Sequence, residues 1–92
     1  MNLTLRIKKV YLDEIANGLK KVEYRRDNEY YANIFSRTYS TLTLHYQSKR
    51  RLVVEILNVK KIAIPKKHVN SPFLKGTNKC WGIYLGKVIR NE

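Results

Sequence analysis

Cysteine is nearly absent. Cys80 stands alone among 92 residues, so no disulfide can close within the chain and the fold must hold without covalent staples. A reducing, cytoplasmic setting is the expectation, with Cys80, beside Trp81 in an apolar strand, acting as a small buried hydrophobe rather than a nucleophile. No apolar run approaches the roughly 18 residues that a membrane span needs. The chain opens directly on an alternating strand, and a soluble protein with no membrane partner is expected. No glycine-rich loop is present to cradle a nucleotide pyrophosphate, and neither His45 nor His68 has a second His or Cys at metal-ligand spacing. Neither a cofactor nor a metal is therefore expected. No repeat, linker or low-complexity stretch interrupts the chain, and its length suits one domain, residues 1–92.

Acidic residues are also scarce: 7 Asp and Glu face 19 Lys and Arg, and none lies between Asn58 and Asn91. The resulting net charge of +12 exceeds the magnitude of about 2 to 8 that keeps a small domain soluble. Its basic residues recur as Lys8-Lys9, Lys20-Lys21, Arg25-Arg26, Lys49-Arg50-Arg51, Lys60-Lys61 and Lys66-Lys67. Such a field attracts polyanions, with nucleic acid the expected partner. Binding one needs cations for phosphates and flat rings for bases. Tyr30, Tyr31 and Tyr84 are the candidates for a wet surface, whereas Tyr24, Tyr46 and Trp81 share strand faces with Val22, Leu44 and Ile83 and are expected in the core.

Leu3, Leu5 and Ile7 alternate with polar residues in a first strand. A helix over Val10–Asn17 follows, with Gly18 closing it in the left-handed conformation. Lys20–Arg26 alternates as a second strand, and Asp27 or Asn28 can cap a short helix holding Tyr30, Tyr31, Ile34 and Phe35. Thr41–Tyr46 is a third strand. Residues 47–50 form a polar turn into Arg51–Lys60, which is apolar on both faces and reads as a central strand. Ile62–Ile64 extends it or starts a new element before Pro65. Lys66–Lys79 reads as a long loop with one helical turn at most. The last strand is Lys79–Arg90, where Gly82 and Gly86 suggest bulges or bends.

The densest site-like feature is the run from Gly18 to Arg26. Period-two alternation sends Glu23 and Arg25 to one face and Val22 and Tyr24 to the other. Neighbours two residues apart can interact, so Glu23 is expected to orient Arg25 or Lys20 toward an anionic ligand. The plainer alternative is a surface charge pair worth about 0 to 1 kcal/mol.

Ile7-Lys8, Tyr11, Ile15, Gly18, Lys20, Glu23 and Arg25 together resemble the N-terminal signature of ASCH (activating signal cointegrator homology) domains, of the PUA-like group of small β-barrels. The match covers residues 3 to 26. It implies an α+β fold: a small PUA-like β-barrel of five to six strands with one early crossover helix and one or two short helices. Strand content alone would also suit an OB-like or SH3-like barrel. The resemblance implies RNA binding ahead of DNA binding, and some relatives cleave an acyl group from a modified cytidine while others are ribonucleases. Those hydrolases use a lysine at the position matched by Lys20 and a hydroxyl residue at the position matched by Glu23. Here Glu23 replaces the hydroxyl, Lys21 stands where threonine is usual, and the later acid has no counterpart. The mechanism does not transfer intact.

The leading expectation is thus a nucleic-acid-binding module with a basic cleft lined by Lys8, Lys9, Lys20, Lys21, Arg25 and Arg26. Lys49, Arg50 and Arg51 at a hairpin tip, and Lys66, Lys67 and His68 after Pro65, are further candidate phosphate contacts. The alternatives are a small hydrolase working with Lys20 and Glu23, and a basic protein-interaction module such as mobile elements encode.

Overall fold

The computed structural model describes residues 1–68 and 78–92. Along the chain lie β1 (Asn2–Arg6), α1 (Lys9–Ala16), β2 (Val22–Arg26), α2 (Glu29–Ile34), β3 (Thr41–Tyr46), β4 (Arg50–Ala63), a 3₁₀ turn (Lys66–His68) and β5 (Lys79–Asn91). Both helices end and begin where local chemistry dictates. At the close of α1, Gly18 takes φ +77°; its N–H donates to Ile15 O at 3.1 Å and that of Leu19 to Glu14 O at 2.9 Å. This is the Schellman arrangement that only glycine adopts without strain. Asn28, of the two candidate caps, starts α2: its Oδ1 accepts from Tyr31 N at 2.9 Å.

Among the described residues the sheet has five strands in the order β1-β3-β4-β5-β2. β1 runs parallel to β3, and the other pairings are antiparallel. The fold is therefore α+β with a mixed sheet, and the expected central place of β4 holds. Ile62 belongs to that strand, which ends at Ala63. Register shifts in the β4–β5 ribbon are confined to the stretch of β4 between Val53 and Asn58, where extra residues bend a ladder. On one side of the bend β4 carries β3 and then β1; on the other, β5 carries β2. The sheet curls into a half-barrel whose edges are β1 and β2, and α1 takes the chain from one edge to the other.

Gly86 lies at the bend, where a Cβ would run into the Glu55 carboxylate. Gly82, expected at a bulge or a bend, keeps regular register between Tyr24 and Lys60. Its place there is steric, since a Cβ would lie 2.9 Å from Ile62 Cδ1.

One apolar cluster fills the curl: Leu3, Leu5 and Ile7 from the first strand and its end, Leu12 and Ile15 from α1, and Leu42, Leu44, Leu52, Val54, Ile83 and Leu85 from the sheet. Truncating such a leucine to alanine costs about 2 to 5 kcal/mol. β4 is not buried on both faces as its composition suggested: Leu52 and Val54 are buried, but Leu57 is 65% exposed. The apolar cluster covers one side of the curl only. Cys80 is fully buried, as expected of a small hydrophobe, and burial raises its thiol pKa, with Asp27 adding to the effect. Of the Lys66–Lys79 loop, the 3₁₀ turn is seen; residues 69–77 lie outside the described residues. Among the described residues no helix is long and apolar enough to cross a membrane.

Candidate functional site

The Gly18 turn delivers Lys20 and Lys21 to the start of β2. There the alternation divides the strand as expected but with inverted polarity: Glu23 faces Ile83 across the β2–β5 pair and is buried, only 6% exposed. A buried carboxylate is tolerable only when paired and hydrogen-bonded. Glu23 Oε2 accepts from Arg25 Nε at 3.0 Å and lies 2.7 Å from Nη2. Its Oε1 is 3.5 Å from Lys20 Nζ. The side chains of Lys20 and Arg25 are themselves about 14% and 15% exposed.

Arg25 spends its guanidinium on the protein. Besides Glu23, Nη1 donates to the Tyr31 hydroxyl at 3.1 Å and Nη2 to the Arg6 carbonyl at 2.7 Å. The last bond crosses between the sheet's two edges, where no backbone ladder runs among the described residues. Burial works against the Arg25 charge, but Glu23 and Tyr31 outweigh it and hold its pKa above the ordinary arginine value. Lys20 points differently. Its ammonium sits 5.2 Å from the Tyr11 ring centre and 4.9 Å from that of Tyr24, positions in which a ring face attracts a cation.

The gap between the edges is a cleft of about 460 Å³, inside the range of roughly 300 to 1,000 Å³ typical of small-molecule sites. Tyr11, Tyr24 and Tyr31 contribute rings to it, Lys20 and Glu23 its most buried ionic pair, and Lys8 and Arg26 further charge. Tyr24 was expected in the core; it lines the cleft instead, together with Glu23 and Arg25 of the opposite face of this edge strand, its ring 5.0 Å from that of His68. Burial raises the Tyr24 pKa, with Cys80 and Tyr84 adding to it. His68 is held below the ordinary histidine value by burial first and by Lys20 and Lys67 after it.

The sequence-derived candidates therefore separate into groups. Lys8, Lys20, Arg25 and Arg26 line the cleft. Lys21 and Lys67 line a smaller hollow beside it. Lys9 is bound to Asp13 at 2.8 Å. Lys49 lies in the β3–β4 turn and Arg50 and Arg51 open β4; they line neither cavity, and the Arg50 guanidinium holds Asp13 of α1 and Asn91 of β5. Lys66 is exposed on the 3₁₀ turn. Arg6, Tyr11 and Asn28 also line the cleft, without having been named as site residues. Arg6 carried a usable signal, since alternation puts it on the polar side of β1 with Lys8, and Tyr11 belongs to the motif that carries the resemblance.

Among the described residues no cluster of His, Cys, Asp and Glu could hold a metal ion. No family model, curated protein or solved structure matches the chain.

Proposed function

We propose that the chain is a nucleic-acid-binding module, a PUA-like barrel of the ASCH kind acting in the cytoplasm, that takes one unstacked nucleotide of RNA into the cleft between β1 and β2. The observation that carries this reading is the pairing of three tyrosine rings with the nearly buried Lys20–Glu23 couple in one cleft. A base offers flat faces to rings and donor and acceptor edges to polar groups. Lys20 supplies donors and Glu23 an acceptor. A net charge of +12 supplies the long-range attraction for the phosphates. The curled five-stranded sheet with a helix joining its edges supports the barrel type, and Arg25 would be its closing clasp.

Phosphate contacts make affinity fall with salt. If four to six phosphates are met, log affinity against log salt should slope at roughly −3 to −5, measured by anisotropy on labelled single-stranded RNA. A flat titration between low and physiological salt would remove phosphates from the account and point to a neutral small molecule. Charge reversal at Lys49 and Arg51, which line neither cavity, should weaken all sequences alike, and selective loss for one sequence would contradict a backbone role.

A second reading, a small hydrolase, is favoured by one observation: Lys20 Nζ and Glu23 are 3.5 Å apart and mostly buried. Against it, the carboxylate is held by Arg25 as well as Lys20, and the chain has no acid between Asn58 and Asn91. Incubation with N4-acetylcytidine followed by chromatography should show no turnover above the uncatalysed rate. Rapid turnover abolished by Lys20→Ala would put the hydrolase first.

A further inference from the structure

We propose that the cleft continues into a second nucleotide subsite, so that a single strand crosses a ridge made by Lys20, with one base on each side. This rests on the nucleic-acid reading above and adds to it a minimum ligand: two linked nucleotides of single-stranded nucleic acid. The hollow of about 330 Å³ beside the cleft shares Tyr11, Lys20, Tyr24 and His68 with it. The two cavities thus share a wall, and that wall has a cation against two rings.

Charge decides the occupant. Lys8 and Arg26 line the groove on the cleft side, and Lys21 and Lys67 line it beyond the ridge. Glu14 is the acidic residue of the hollow, set against Lys20, Lys21 and Lys67. Basic groups in succession with aromatic faces between them track a phosphate backbone while its bases stack on the rings. A duplex cannot be the ligand at this groove, because paired bases keep both faces stacked and present none to a recessed ring. Lys20, placed at the crossing, has donors for the phosphate that links the two nucleotides as well as for the base in the cleft. The two sides divide the labour: the cleft has Glu23 to engage a base edge, and the hollow, walled by Leu19 and Val22 as well as Tyr11 and Tyr24, holds its base by packing.

The test is an NMR titration of the intact protein with mono-, di- and tetranucleotides, in ribo- and deoxyribo- series. Linking the second nucleotide should tighten binding about tenfold, and the amides of Lys21 and Lys67 should shift only from the dinucleotide onward. Lys21 and Lys67 are exposed, so a Lys21→Glu, Lys67→Glu variant keeps the fold, as its melting curve checks. That variant should lose the dinucleotide gain, keep the mononucleotide affinity within about threefold, and show a tetranucleotide salt slope smaller by about 2. If the dinucleotide binds no better than the mononucleotide while the tetranucleotide still binds with salt dependence, the second subsite is wrong and the single-cleft reading survives. An unchanged double variant overturns it in the same way. Failure of every oligonucleotide at low salt removes the nucleic-acid reading, and the subsite with it.

Discussion

Glu23→Ala should lower stability by about 3 kcal/mol, which in a domain of this size is a fall of roughly 12 to 24 °C in Tm. The carboxylate is 6% exposed and is the counter-ion of two side chains that are themselves mostly covered. Removing it leaves Lys20 and Arg25 facing one another in a poorly solvated place, and the repulsion adds to the unmet cost of burying each charge. Glu23→Gln keeps the shape and should lose most of the same stability. A thermal melt decides the matter: a shift below about 3 °C for Glu23→Gln would mean that water screens the trio and that burial has been given too much weight. Alternation and the surrounding cations gave Glu23 an orienting role toward a ligand. Burial makes the residue structural first, and any ligand effect must be measured below the lowered Tm.

Arg25→Lys should cost about 2 to 3 kcal/mol although the charge is kept. A lysine ammonium cannot present the planar fork that reaches Glu23, the Tyr31 hydroxyl and the Arg6 carbonyl together, and each hydrogen bond to a charged group lost there is worth about 1.5 to 3 kcal/mol. Local hydrogen exchange separates this from a general loss of charge. Amides of β1 and of α2 should lose protection before those of β4 and β5, because the clasp joins the two edges and the short helix. Uniform loss across the sheet, or a Tm within about 2 °C of the parent, would show that the edges are held by the apolar cluster and that the clasp is incidental.

Local features were largely legible from residues. Thr41–Tyr46 is the third strand with the bounds its alternation indicates; Gly18 closes α1, and an Asx residue before Glu29 opens α2. Each depends on neighbours within a few positions. The polarity of β2 was not legible, because period two says which residues share a face and not which face lies inward. In this strand two charged residues that neutralise each other displaced Tyr24 from the interior. The composition of the site was half legible for a related reason. Lys8, Lys20, Arg25 and Arg26 meet because β1 and β2 are opposite edges of one curled sheet, and no run of residues records a strand order. Lys49–Arg51 fall elsewhere for the same cause.

The parallel pairing of β1 with β3 has a kinetic consequence. Asn2 and Thr41, 39 positions apart, must meet before that ladder exists, whereas β3 and β4 are joined by a short turn. Loop closure over such a span delays contact formation, and chains dominated by distant contacts fold slowly. The expected order is therefore the β3–β4 hairpin early and the docking of β1 late. The cleft lies between β1 and β2, so it comes into being only with that last step: a substitution in β1 that slows docking would postpone the arrival of binding competence while leaving every ring and charge that lines the cleft unaltered.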